Sequence, residues 1–191
     1  VSWGDGMYKA TDGGETWQHI GLESLKQIAR IRIHPDNPDV VYVSAMGHLY
    51  GPNEERGLYR STDGGATWER LLYIDEDTGV VDVAMEPGNP DLLYAATYQR
   101  RRRPFGFHGG GPGSGLYRSV DGGESWVELT DEQKDNGLPK GILGRIGVAV
   151  APSDSRVVYA MIESKDGVLW RSSDGGGGLP SMQARMVAPT A

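Results

Sequence analysis

With 191 residues, a formal charge of −7 and no cysteine, the chain has the length of one domain, two at most, and excludes disulfides and thiolate metal sites. Its acidic balance excludes the basic footprint of a general nucleic-acid binder. The 29 Gly and 11 Pro supply too much turn material for a helical bundle, and nine Tyr and five Trp give amphipathic rings that pack on a pleated sheet and still reach water. No stretch approaches the run of about 18 apolar residues that a membrane span needs. The start, Val1-Ser2-Trp3-Gly4-Asp5-Gly6, has no initiator Met, basic segment or apolar segment, so the sequence is expected to begin inside a longer one.

Along the chain one unit repeats. The first partial copy, 1–22, holds Gly6-Met7-Tyr8-Lys9-Ala10-Thr11-Asp12-Gly13-Gly14-Glu15-Thr16-Trp17. The second, 28–73, opens with the alternating Ile31-Arg32-Ile33 and the turn residues Asp36-Asn37-Pro38-Asp39, continues through Val40-Val41-Tyr42-Val43, and ends on Gly57-Leu58-Tyr59-Arg60-Ser61-Thr62-Asp63-Gly64-Gly65-Ala66-Thr67-Trp68. The third, 80–130, repeats the order with Val81-Asp82-Val83, Asn89-Pro90-Asp91, Leu92-Leu93-Tyr94 and Gly115-Leu116-Tyr117-Arg118-Ser119-Val120-Asp121-Gly122-Gly123-Glu124-Ser125-Trp126. The fourth, 142–176, has Ile146-Gly147-Val148, Val157-Val158-Tyr159 and Val168-Leu169-Trp170-Arg171-Ser172-Ser173-Asp174-Gly175-Gly176. Residues 177–191 abandon the pattern and are expected to be a disordered, non-native tail.

Each unit predicts four short strands separated by Pro/Asn/Asp and Asp-Gly-Gly turns. Four strands per repeat of about 50 residues is the blade of a β-propeller. The expectation is an all-β arc of about three to four four-stranded antiparallel blades, part of a larger propeller because too few blades are present to close a ring.

At the Asp-Gly-Gly turns the sequence resembles the Asp-box, or BNR, repeat, Ser/Thr-x-Asp-x-Gly-x-Thr/Ser-Trp, found in sialidases, xyloglucan-cleaving glycoside hydrolases, sortilin-type propellers and a photosystem assembly factor. Residues 61–68 and 119–126 fill every fixed position, residues 10–17 depart at Ala10, and the fourth copy breaks after Asp174. The Tyr-rich blades look most like bacterial sortilin-like (VPS10-like) and xyloglucanase-like "glycosyl hydrolase" repeat proteins. The structural set is Asp12, Trp17, Ser61, Asp63, Gly65, Thr67, Trp68, Ser119, Asp121, Gly123, Ser125, Trp126 and Asp174. Repetition assigns these residues to a clasp needed once per blade, since an active site needs only one nucleophile or acid. The carboxylate accepts backbone N–H groups of its own turn and the glycines allow positive φ.

Function is expected on the opposite rim, where two loops between the second and third strands are enlarged. The first, 46–57, holds His48 and Tyr50. The second, 98–115, holds Arg100, Arg101, Arg102, Arg103, Phe105, Phe107 and His108. Guanidiniums beside aromatic rings suit an anionic or planar ligand, an acidic peptide or a uronate-bearing glycan, through bidentate bonds and stacking. The competing reading pairs the arginines with the connector Asp75-Glu76-Asp77 and plugs the central channel with the Phe residues. His48 with Glu54 and Glu55 matches no metal-ligand spacing, so no metal and no cofactor are expected. Asp75, Asp77 and Asp82 are the acids available for paired-carboxylate chemistry, and the arginine triad of sialidases is missing. The first functional reading is therefore a secreted binding scaffold, extracellular or periplasmic, for protein, peptide or glycan, with the remaining blades of its propeller as intramolecular partners. The alternative is part of a xyloglucanase-like glycoside hydrolase whose catalytic carboxylates lie partly outside the segment.

Overall fold

The computed structural model describes residues 3–48 and 50–175; the expected tail at 177–191 lies outside them. Among the described residues there are fourteen strands: β1 (Tyr8–Lys9), β2 (Gln18–His19), β3 (Ile28–Ile33), β4 (Val41–Ala45), β5 (Gly57–Ser61), β6 (Glu69–Leu72), β7 (Thr78–Glu86), β8 (Asn89–Arg103), β9 (Gly106–Gly109), β10 (Leu116–Ser119), β11 (Val127–Glu128), β12 (Ile146–Val150), β13 (Val158–Ser164) and β14 (Gly167–Ser172). They form four antiparallel sheets, β1-β2, β3-β4-β5-β6, β7-β8-β10-β11 with β9 paired to the far end of β8, and β12-β13-β14. Two blades thus have all four strands, flanked by a two-stranded and a three-stranded part. Among the described residues no helix is long and apolar enough to cross a membrane. The arrangement is a β-propeller segment, with β7 packed against both β3 and β12 so that the first strands of successive blades converge.

The period of two in each strand builds the interior. Side chains alternate across a sheet, and here both faces are covered by neighbouring blades. Val43 and Ala45 on β4 join Met7 and Leu25 in one core, while Tyr42, one residue before Val43, joins Leu58, Val83, Leu93 and Ala95 in the next. On β8, Tyr94, Ala96 and Tyr98 turn the other way and pack with Ile146, Val158, Ile162 and Trp170. The runs of apolar residues in β4 and β8 therefore serve two cores at once, which explains why they lack the polar alternation of a half-exposed strand.

Two contacts recur between blades. The Tyr42 hydroxyl donates to the Gly122 carbonyl (2.9 Å) and the Tyr94 hydroxyl to the Gly175 carbonyl (2.5 Å), in each case joining the second strand of one blade to the Asp-box turn of the next. Within each blade that turn is tied to the turn between strands one and two, by Gly64 N to Asp39 O, Gly122 N to Asp91 O and Gly175 N to Arg156 O. All Asp-boxes hence share one rim, and the long loops end at the other.

One predicted loop is instead a hairpin. β8 continues through Arg103 and folds back into β9, with Arg100 opposite Gly109 and Arg103 opposite Gly106. The Gly-rich stretch offers little side-chain bulk, so backbone pairing, not packing, carries the extension.

Candidate functional site

The second and third Asp-boxes are closed hydrogen-bond circuits. In the second copy Thr67 N and Oγ1 donate to Asp63 (2.9 and 2.6 Å), Ser61 Oγ donates to the same carboxylate (2.8 Å), and Gly65 N donates to Ser61 Oγ (2.8 Å). The third copy is superposable in its partners, with Ser125 N and Oγ and Ser119 Oγ on Asp121 and Gly123 N on Ser119 Oγ. In the first, Thr16 binds Asp12, but Ala10 supplies no hydroxyl. Asp174 accepts from Ser172 (2.6 Å). Bonds from Thr67 and Ser125 hold the Asp63 and Asp121 carboxyls down at about 2, as expected where several donors favour the anion. Gly64 and Gly65 take φ of 70° and 95°, and a Cβ on Gly65 would lie 2.5 Å from Ile20 Cδ1. Trp68 sends its indole N–H to Ile20 O of the preceding blade (2.8 Å), whereas Trp17 and Trp126 bond within their own turns, to Gly14 O and Gly123 O.

The opposite rim gathers loop 46–57, the connector 75–78 and the β8-β9 hairpin. Its organising residue is Arg56, a side chain only 1% exposed. The guanidinium donates to the carbonyls of Asp77 (2.7 Å), Arg100 (3.2 Å), His48 (3.3 Å) and Gly51 (3.4 Å), so one side chain closes all three segments. Burial lowers its pKa, opposed by Asp77 and Asp75. Nothing local in Glu54-Glu55-Arg56 signals that burial; a charge run ordinarily reads as a solvated face.

The proposed ligand residues divide. Arg101 is engaged, with Nε and Nη2 on Asp77 at 3.0 and 2.5 Å. Arg100 stands 5.3 Å over the Phe107 ring. Arg102 and Arg103 are exposed and in no ion pair among the described residues. Tyr50 bridges to Arg102 and is exposed. His48 Nδ1 lies 3.2 Å from the Tyr50 carbonyl, and His108 is exposed on β9 opposite Arg101. Both Phe105 and Phe107 are exposed, so neither plugs the channel: the hairpin carries them outward. Among the described residues no group of three or more His, Asp or Glu is placed to hold a metal ion.

Of the acids, Asp82 is buried on β7, accepting Arg30 Nε (2.9 Å) from one neighbouring blade and Val148 N (3.2 Å) from the other. Asp75 accepts Asp77 N (2.8 Å), and Asp77 holds Arg101. Each is committed to an internal partner.

Residues 59–70 match the BNR/Asp-box repeat family. The chain is a BNR β-propeller segment related to xyloglucanases. It is 30% identical to xyloglucanase Xgh74A of Acetivibrio thermocellus over 182 aligned residues, covering 80% of this chain and 19% of the relative. A xyloglucanase of Paenibacillus is 27% identical, with 81% and 15% covered. The crystal structure of an ancestral GH74 enzyme superposes with a TM-score of 0.67 at 26% identity, over 97% of this chain and 22% of the other. The GH74 xyloglucanase of Xanthomonas campestris has the same fold, with a TM-score of 0.58 at 19% identity, over 92% of this BNR chain and 28% of that one. The chain thus spans about a fifth of the length of the relatives it matches.

Proposed function

We propose that this chain is a segment of an extracellular glycoside hydrolase of xyloglucanase type, with its loop-rich rim turned toward the polysaccharide. The observation that carries this reading is the 30% identity to a xyloglucanase across four-fifths of the chain. It is favoured over a protein- or peptide-binding scaffold because the relatives that align with four-fifths of this chain are xyloglucanases. The segment's share is glycan contact: Tyr50 and Phe107 are exposed on that rim, and flat apolar rings suit the apolar faces of sugars. Glycoside hydrolysis needs two carboxyls at about 5–9.5 Å flanking the scissile bond. Asp82 is locked between two blades, and on this reading the acid–base pair includes residues of the neighbouring blades, the segment's intramolecular partners.

The test is reducing-end release from xyloglucan by the protein, alongside retardation in xyloglucan-containing gels. Hydrolysis, or retardation lost on Tyr50→Ala with Phe107→Ala, supports the reading. Neither hydrolysis nor retardation overturns it.

A further inference from the structure

The N-terminal segment at Gly4 and Gly6, the stretch leading into β3, the residue after β4, the middle of β7, the distal half of β8 and the residue before β12 line an open pocket of about 430 Å³. That size falls within the range of about 300–1,000 Å³ typical of small-ligand sites. Its charged lining residues are Lys26, Arg100 and Arg145, all cations: Lys26 just before β3, Arg100 on β8 and Arg145 just before β12. Ile28, Met46 and Val81 line it with apolar surface, and Gln27 and Tyr98 add polar groups.

Three cations around one small space is unexpected in a chain of net charge −7. Other arginines that point between blades or rim segments are paired: Arg30 with Asp82, Arg60 with Glu69 and Glu124, Arg101 with Asp77. No ion pair among the described residues involves Lys26, Arg100 or Arg145. Arg100 Nε is moreover buried with no hydrogen-bond partner, as are Arg56 Nε and Arg118 Nε away from the pocket, and an unpaired buried N–H costs free energy. The backbone there is fixed, since Arg56 holds the Arg100 carbonyl. Tyr98 reports the same field: burial and Glu163 raise its pKa, and Arg100 and Arg145 oppose them. Glu163 is the neighbouring acid, its Oε2 accepting Arg145 N at 3.2 Å. Asp5, between the lining residues Gly4 and Gly6, accepts the Tyr8 hydroxyl.

We propose that this cavity is a subsite for the carboxylate of a uronic-acid sugar, clamped by Arg100 and Arg145 with Lys26 as a third positive charge. The inference rests on the polysaccharide reading and names a charged side unit that the site takes. Guanidiniums bind a carboxylate through paired N–H donors; the apolar lining takes the ring's C–H face, and Gln27 and Tyr98 take hydroxyls. An acidic peptide fits less well. Extended peptides are recognised along free strand edges or long grooves, and β4, β7 and β8 are each paired on both sides or covered by a neighbouring blade around the cavity.

The experiment titrates the protein with trigalacturonate, a neutral xyloglucan oligosaccharide and a glutamate-rich peptide by calorimetry, at low and high salt. It uses the parent, Lys26→Gln and Arg145→Gln; neither side chain is in an ion pair, so melting temperature should stay within error. The expected result is trigalacturonate binding that weakens with salt and falls about ten-fold or more in each variant, with xyloglucan binding unchanged. No trigalacturonate binding, undiminished binding in both variants, or tighter binding of the peptide overturns the proposal. Failure of the hydrolase reading would appear separately, as absent xyloglucan binding and hydrolysis in the same preparation.

Discussion

Removing one hydroxyl tests the Asp-box circuit. In Ser61→Ala the buried Gly65 N–H loses its acceptor at 2.8 Å and Asp63 loses a donor at 2.8 Å, while the 3.3 Å contact with Asp63 N is too long to count for much. Ser61 is itself 1% exposed, so water does not replace it. An unsatisfied buried N–H costs about 1–3 kcal/mol. At about 2–4 °C per kcal/mol for a chain of this size, the melting temperature should fall by roughly 2–12 °C. The first repeat supplies an internal control, because Ala10 already lacks this hydroxyl and Gly14 there is exposed. Ala10→Ser should raise stability by about 1 kcal/mol or less, since water already solvates that turn. The assay is thermal unfolding followed by circular dichroism. A Ser61→Ala protein melting within 1 °C of the parent would refute the clasp as a source of stability.

Acid should loosen the same turns. The Asp63 and Asp121 carboxyls sit near 2 in the fold against about 4 unfolded, so their stabilisation is complete above about pH 4 and is lost as pH falls toward about 2; melting curves between pH 5 and 2 should slope less for Asp121→Asn than for the parent. Arg56→Met should cost about 2–4 kcal/mol, because several carbonyls lose a charged donor together, and loop 46–57 should become the first site of proteolytic nicking. Arg101→Ala should cost under about 1 kcal/mol, since its pair with Asp77 is partly exposed and such pairs contribute little; a larger loss on melting would mean the hairpin depends on it.

The strand plan was legible because repetition placed it in register three times over. Tyr42, Tyr94, Leu58 and Leu116 could be assigned to strands from their spacing alone, and the Asp-Gly-Gly turns marked one rim. The functional rim was only half legible. Arg100–Arg103 stood out by composition, but their hairpin pairing did not, since β9 is made of Gly106-Phe107-His108-Gly109 and carries no strand-like alternation. Arg56, Arg30, Lys26 and Arg145 were invisible for a different reason. Their roles depend on carbonyls, carboxylates and cavities assembled from three blades, and no local pattern encodes which charges meet there. Asp82 illustrates the cost: it read as an available acid, yet its two oxygens join Arg30 and Val148 on opposite sides.

The tyrosine hydroxyls that reach from one blade to the next turn have an evolutionary corollary. Each unit carries a donor for the unit after it and a glycine carbonyl for the unit before it, so lock and key always lie in different copies. Duplicating a whole unit inserts one of each and preserves every junction, whereas losing part of a unit strands either a buried hydroxyl or a bare carbonyl. Stability in such arrays is the sum of unit and neighbour terms, and here the neighbour term is written into the repeat itself. Recombination at repeat boundaries thus leaves these hydrogen bonds intact, and the rim loops can diversify without touching them.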